Sequence, residues 1–201
     1  MLLYELCKNI RIEVFMMKTG DTNESELMRR LASGEMDALA EIVERYQSKV
    51  LSIAYRFLND WTNAEDVAQE TFLRIYKAAG NYKPQARFTT WLYRIVVNLC
   101  MDEQRKMARR PVSIEETVFS ASADSDSGSA ERSETIELVK KAIIELPERQ
   151  RLVVILHRYE NLSYDEICEV TKWTKSAVES LLFRAYANLR EKLKKIEKFI
   201  E

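Results

Sequence analysis

The sequence predicts an all-α protein: two small helical domains joined by a flexible acidic linker. Apolar residues recur at steps of three and four along most of the chain, as one face of a helix requires. Only 4 glycines and 3 prolines occur in 201 residues, too few for the turns of an all-β fold. Residues 113–135, SIEETVFSASADSDSGSAERSET, are Ser-rich and acidic and lose helical periodicity after Phe119, the composition of a flexible linker. The chain therefore divides into an N-terminal extension (1–20), a first module (21–112), the linker (113–135) and a second module (136–201). A hydrophobic fraction of 46% is enough for a real core.

In order along the chain, the opening MLLYELCKNIRIEVFMM is broken by Glu5, Lys8, Arg11 and Glu13, which excludes a signal-peptide core. Met16 and Met17 stand just before the polar segment KTGDTNES. A translation start there, leaving residues 1–15 unmade, and a short ordered extension both fit. Leu39, Ile42, Val43, Tyr46, Val50, Ile53, Ala54 and Phe57 then mark one face of a long helix. Asn59-Asp60 is a turn, and Thr62 or Asn63 caps the next helix, with Glu65 and Asp66 in its first turn. That helix runs to about Ala79, where Gly80 ends it as a C-cap. Residues 81–87 form a loop, because Pro84 disfavours helix at Lys83. Another helix starts near Thr89 or Thr90 and continues past Arg105. In the second module the apolar run Leu152–Leu156 fits a helix better than a strand in its context. Ser163 with Glu166 forms a capping box. Residues 171–174 then make the turn of a helix-turn-helix. Its second helix buries Val178, Leu182, Ala185 and Leu189 and shows Ser176, Glu179, Ser180, Phe183, Arg184 and Ala187. Short polar residues at the head of such a helix suit entry into a major groove.

A net charge of −1 excludes a general polycation but hides local asymmetry. Within residues 81–110 seven Lys/Arg stand against Asp102 and Glu103, an excess of five positive charges. On the helix there, Leu92, Ile95, Val96 and Leu99 gather on one side, and Arg94, Asn98, Arg105 and Arg109 on the other, with Trp91 at the border. One buried face and one Arg/Asn face suit a polyanion: Arg reaches phosphates and Asn can read a base edge. Tyr82, Phe88 and Trp91 alternate with Lys83, Arg87 and Arg94. Ring planes plus cations are what unpaired bases require. Of these rings Phe88 reads as core; Tyr82, in a loop, does not. Asp66, Gln69 and Glu70 share one helix surface. No third ligand follows at metal spacing, and an acidic face for a basic partner helix fits at least as well as an acid/base pair. The single histidine, His157, reads as structural; Cys100 and Cys168 read as buried thiols, and the three cysteines show no C-x-x-C pair. No run of about 18 apolar residues is present, so no membrane insertion is expected. The reading is of a cytoplasmic protein with no catalytic residue, metal or cofactor.

Several long motifs together resemble the bacterial RNA polymerase sigma factors of the extracytoplasmic-function (ECF) group, over about residues 21–195. AEDVAQETFLRIYKA resembles region 2.2, and FTTWLYRIVVNLCMDEQRK regions 2.3 and 2.4. LPERQRLVVILHRYENLSYDEI resembles region 4.1 and the start of 4.2, and SAVESLLFRAYANLREKL the recognition helix. The resemblance implies a promoter-specificity subunit that binds core RNA polymerase, recognises −35 and −10 DNA and assists duplex opening. It places Asp66, Gln69 and Glu70 on the clamp helices of the largest catalytic subunit, and gives the flap of the second-largest subunit as a further contact. It assigns Tyr82, Lys83, Trp91 and Asn98 to the −10 element, with Arg94, Arg105 and Arg109 on phosphates. It assigns Lys172, Lys175, Ser176, Glu179, Ser180, Phe183 and Arg184 to −35 DNA. It also implies an anti-sigma partner and a linker that threads toward the RNA exit path.

The chain departs from a frequent family pattern, Gly-Thr-Val-Lys-Ser-Arg, with Ser176-Ala177-Val178-Glu179-Ser180-Leu181. Glu179 cannot hold phosphate but can accept from cytosine N4. Lys172 replaces a frequent turn glycine. The basic stretch and the acidic linker together suggest that the free protein hides its own DNA surface. A stand-alone helix-turn-helix regulator would leave the AEDVAQE face and the Tyr82 loop unexplained. An enzyme using Glu65, Asp66 or Glu70 would lack a Gly/His/Asp constellation.

Overall fold

Helical periodicity becomes helix throughout the described chain. The structure, a computed structural model, describes residues 21–83, 87–109 and 130–200. The alternatives for residues 1–15, and the linker as far as residue 129, lie outside the described residues. The first module is α1 (Asp21–Ala32), α2 (Met36–Leu58), α3 (Trp61–Ala78), a 3-10 turn (Ala79–Asn81) and α4 (Phe88–Met107). The second is α5 (Ala130–Ile144), α6 (Glu148–Val154), one π-helical turn (Ile155–Tyr159), α7 (Tyr164–Thr171) and α8 (Lys175–Ile200). Helix α5 thus begins within the 113–135 stretch. No strand occurs among the described residues.

The first core is built on α2. Its Ile42, Val50, Ile53, Ala54 and Phe57 are wholly enclosed. They meet Leu27 and Met28 of α1, Ala64 and Ile75 of α3, and Leu92, Val96 and Cys100 of α4. Each of the larger aliphatic and aromatic side chains among them contributes roughly 1.5–3 kcal/mol on burial. The Tyr46 hydroxyl donates to Glu24 Oε1 at 2.9 Å and ties α1 to this core.

The turn between α2 and α3 differs from its sequence reading. Asn59 takes a left-handed conformation (φ 54, ψ 32) and closes α2. That reversal brings the Asp60 carboxylate over the next helix end, where it accepts from the Asn63 backbone N–H at 2.8 Å. Asp60, not Thr62 or Asn63, is therefore the cap. Helix α3 starts at Trp61, and Glu65 and Asp66 fall beyond its first turn. Gly80 is not a left-handed C-cap either. It lies in the 3-10 turn, which tucks Ala79 into the core, and the left-handed glycine is Gly34 (φ 94), after α1.

In the second module Leu152, Val153, Ile155 and Leu156 are all enclosed. Their helix packs between α8 on one side and α2 on the other. A helix covered on both sides needs no polar face, so the run shows no period of its own. Ser163 Oγ accepts from Glu166 N and Glu166 Oε2 accepts from Ser163 N, completing the capping box of α7. Val178, Leu182, Ala185 and Leu189 are buried under α8. His157 Nδ1 lies 3.0 Å from the Leu162 carbonyl, and its ring stacks edge-on against Tyr164, a structural role. Cys100 is buried, and burial pushes its thiol far up. Cys168 is a correction: it is only half-buried, at the flank of the core.

The two modules touch. Arg151 of α6 donates to the Phe57 carbonyl at the end of α2 at 2.6 Å. Arg56 lies over the Tyr159 ring at 4.4 Å. The Tyr93 hydroxyl of α4 donates to Glu160 Oε2 at 2.8 Å. Burial lifts the Glu160 carboxyl above the usual carboxylate range, against the opposing pull of Tyr93, Lys49 and Arg56.

Two consequences are measurable. Lys172 ends α7 in the left-handed region (φ 62, ψ 21), where a side chain costs free energy that glycine avoids. Lys172→Gly is expected to raise the unfolding free energy by roughly 0.5–1 kcal/mol in urea titrations. A carboxyl raised by the fold contributes stability that is present below its ordinary value of 4.5 and lost as pH rises through the raised value. Glu160→Gln keeps the acceptor and removes the charge. Thermal unfolding should show the variant more stable than wild type at about pH 7, with the difference vanishing near about pH 4.

Candidate nucleic-acid interface

Helix α4 begins at Phe88, just ahead of the Thr89 or Thr90 start read from the sequence, and its N-cap Arg87 makes no side-chain cap bond. Phe88 is its first residue and is buried against Tyr46, ring centroids 5.2 Å apart. From that anchor the ring cluster grows outward: Trp91 lies 5.6 Å from Phe88, and Tyr82 lies 5.0 Å from Trp91 and 6.2 Å from Phe88. Phe88 is core, as its sequence position implies. Tyr82 and Trp91 are half-buried. Tyr82 is therefore neither free in a loop nor core. It is a ring braced on its inner side, the preorganised state a stacking platform needs. Lys83 beside it is exposed.

Along α4, Leu92, Val96 and Leu99 face the core. Asn98 and Arg105 are exposed, and Arg109 is exposed just beyond the helix end. Arg105 pairs with Asp102, and Lys106 with Glu103 at 2.8 Å, both one turn apart on the surface. Such exposed pairs are worth little, so they leave Arg105 available to a stronger anion. Arg94 departs from this face. It is half-buried, and its Nη2 donates to the backbone carbonyl of Glu169 in α7 at 3.0 Å.

Helix α3 presents a second surface. Asp66 and Gln69 are exposed. Glu70 accepts from Arg74 Nε at 2.9 Å, and that guanidinium holds its carboxyl below the usual range. The same stripe continues into Leu73 and Tyr76, each about half exposed. The sequence reading missed these two. Their signal was position: they follow Asp66 by seven and ten residues, on the same helix face.

The third surface is the start of α8. Ser176, Glu179, Phe183 and Arg184 are exposed, Phe183 at 77%, and Ser180 is half-buried. Arg184 Nη2 donates to Ser180 Oγ at 2.7 Å, which aims the guanidinium along the helix face. Lys172 is exposed. Lys175 Nζ lies 2.9 Å from Asp165 Oδ1, and this hydrogen bond raises its ammonium pKa. Trp173 lies beneath Arg149, 5.2 Å from ring centroid to guanidinium, and steadies the turn. The three surfaces stand on separate helices and could be read from the sequence as residue sets apart from Arg94, which turns to α7, and Leu73 and Tyr76, which were missed. The contacts that join the modules were not.

Among the described residues no group of His, Cys, Asp or Glu could hold a metal ion. No described helix is long and apolar enough to cross a membrane.

The model of Sigma-70 region 2 matches residues 42–110, and that of Sigma-70, region 4 matches residues 136–189. The RNA polymerase sigma-H factor of Pseudomonas aeruginosa is 35% identical over 172 residues, 81% of this chain and 89% of that protein. The ECF RNA polymerase sigma factor SigW of Bacillus subtilis is 30% identical over 179 residues, covering 83% of this chain and 95% of that one. Among solved structures, CnrH in complex with the cytosolic domain of CnrY is similar with a TM-score of 0.64 and 26% identity, over 86% of this chain and 97% of that one. Helix α4 falls in the first matched region and the helix-turn-helix in the second, and the relatives are matched nearly end to end: the chain belongs to the sigma-70 family, as an ECF RNA polymerase sigma factor.

Proposed function

We propose that the three surfaces divide the work of an ECF sigma factor. The α3 stripe of Asp66, Gln69 and Glu70, extended by Leu73 and Tyr76, docks on the clamp helices of the largest polymerase subunit, and the second module reaches the flap of the second-largest. Its mix of carboxylates and apolar side chains suits a basic amphipathic partner. The α4 face takes the −10 element: Tyr82 and Trp91 stack on an unpaired base, Asn98 reads a base edge, and Lys83, Arg94, Arg105 and Arg109 hold phosphates. The start of α8 enters the −35 major groove, with Ser176, Glu179, Ser180, Phe183 and Arg184 toward bases and Lys172 and Lys175 toward the backbone. The observation that carries this reading is α4 itself. One side is locked into the core and the other is lined by cations beside a braced aromatic ring.

On this reading the protein contributes binding energy and orientation, and the bond chemistry belongs to the polymerase. Duplex opening is favoured because a base held against Tyr82 is no longer available to its partner strand. The protein acts in the cytoplasm, where polymerase and promoter are, with no cofactor. The solved relative CnrH carries a protein partner, the CnrY cytosolic domain; a partner of the anti-sigma kind, seated across both modules, is proposed here as well.

The combined variant Asp66→Ala/Gln69→Ala/Glu70→Ala is expected to lose at least about tenfold in affinity for core RNA polymerase, or about 1.4 kcal/mol, in a fluorescence titration. Undiminished binding would withdraw the α3 assignment. Glu179→Lys is expected to change the preferred −35 base when promoters are selected from a randomised pool. An unchanged preference would remove Glu179 from base reading.

A further inference from the structure

Among the described residues one carboxylate is buried in the first core. It is Glu24 of α1, 4% exposed. Its Oε1 accepts from the Tyr46 hydroxyl at 2.9 Å and lies 3.6 Å from Arg45 Nη1. Its Oε2 is buried and makes no hydrogen bond. A buried carboxylate costs free energy unless its oxygens are fully paired, and an all-apolar pair of similar shape is commonly as stable or more so. Stability therefore does not account for Glu24. A buried polar bond does something else: it fixes one arrangement of the side chains around it.

What it fixes is the inner end of a chain of rings. Tyr46 packs on Phe88 at 5.2 Å with the planes 47° apart. Phe88 meets Trp91 at 5.6 Å and 58°, and Tyr82 at 6.2 Å and 66°. Tyr82 and Trp91 close the chain at 5.0 Å and 57°. No pair is a parallel stack. Tilted rings interlock edge against face, so in a close-packed core a shift of one displaces the next. Helix α1 also lies against the 3-10 turn Ala79–Asn81 that leads into Tyr82. Both ends of the chain are thus referred to the same helix.

We propose that Glu24 and Tyr46 are positioning residues for the base-stacking platform: their buried hydrogen bond sets, through Phe88, the tilt at which Tyr82 and Trp91 meet an unpaired base. The proposal rests on the reading of Tyr82 and Trp91 as that platform given above. Both residues are buried and act through the rings, without touching DNA. A ring already held at its working angle loses little freedom when a base stacks on it. The cations proposed to hold phosphate, Lys83, Arg105 and Arg109, are exposed and stand outside the ring chain. The pair therefore acts on stacking and leaves the salt dependence of binding unchanged.

The test uses the full chain with bacterial core RNA polymerase. The probe is a single strand from a promoter that the wild-type holoenzyme selects from a randomised pool, with 2-aminopurine placed at each −10 position in turn. Stacking on a ring quenches its fluorescence. The urea midpoint and the tryptophan bands of the near-ultraviolet circular dichroism are read on the same chain without DNA. Glu24→Met/Tyr46→Phe removes both polar groups and keeps their shape. It should unfold at the wild-type urea concentration or above, yet shift the tryptophan bands. It should also lose at least about half of the quench and bind the strand about fivefold more weakly, less than a whole stacked base contributes. Glu24→Gln, which keeps an acceptor for the Tyr46 hydroxyl, should retain the quench. If the double variant fails to fold, Tyr46→Phe alone removes one oxygen atom and carries the same expectation for bands and quench. Unchanged tryptophan bands overturn the positioning, and so does a lower urea midpoint with the quench intact, the result of a merely structural pair. Tyr82→Ala in the same assay separates the proposal from the reading beneath it. A quench that survives Tyr82→Ala removes Tyr82 from the base and takes the proposal with it. A quench lost in Tyr82→Ala but kept in Glu24→Met/Tyr46→Phe overturns the positioning alone.

Discussion

A helix that buries one face in a core and lines the other with guanidinium groups offers that outer face to anions, and the contacts around α4 turn on it. Its inner residues Leu92, Val96 and Cys100 fix it to α2, so the outer face cannot rotate away. The anions that answer it are graded. Asp102 pairs with Arg105 locally, a helix end accepts one hydrogen bond from Arg94 across the module boundary, and on the proposed reading promoter phosphates replace both. The weakness of the first two is what makes the third effective: surface pairs and helix ends bind a guanidinium less firmly than a phosphate.

The boundary between the modules follows the same logic from the other side. The apolar run Leu152–Leu156 packs toward α2 as well as α8, so hydrophobic burial contributes to closure. The polar contacts around it are incomplete, with guanidinium nitrogens left unpaired at Arg94 and Arg151. Interfaces between domains of one chain are commonly of this mixed kind, and relative motion across them is the default. A fully satisfied interface would hold the modules too firmly for a protein that has to bridge two separated DNA elements.

At the recognition helix the local chemistry is set by small departures. Lys172 accepts a left-handed backbone that glycine would adopt without strain, and in return places an exposed ammonium at the turn before α8. Glu179 puts an exposed acceptor near the head of the helix. Arg184, bonded to Ser180, is pre-aimed, so less rotamer freedom is lost on binding. On the proposed reading these features act on which DNA is chosen, and none of the side chains enters the core.

The sequence by itself determined the all-α class, the helix-turn-helix and the capping box at Ser163. All of these depend on residues within about one helical turn of each other, and period and capping chemistry report that range directly. Tertiary structure decided what lies across the chain. Asp60 rather than Asn63 caps α3 because Asn59 reverses the backbone first. Leu73 and Tyr76 join the acidic stripe because the described residues leave them half exposed. Tyr93 meets Glu160, and Arg151 meets Phe57, across 67 and 94 residues. Such pairs leave no periodic trace, since each partner looks like an ordinary residue of its own helix until the two cores pack and bring them within bonding distance.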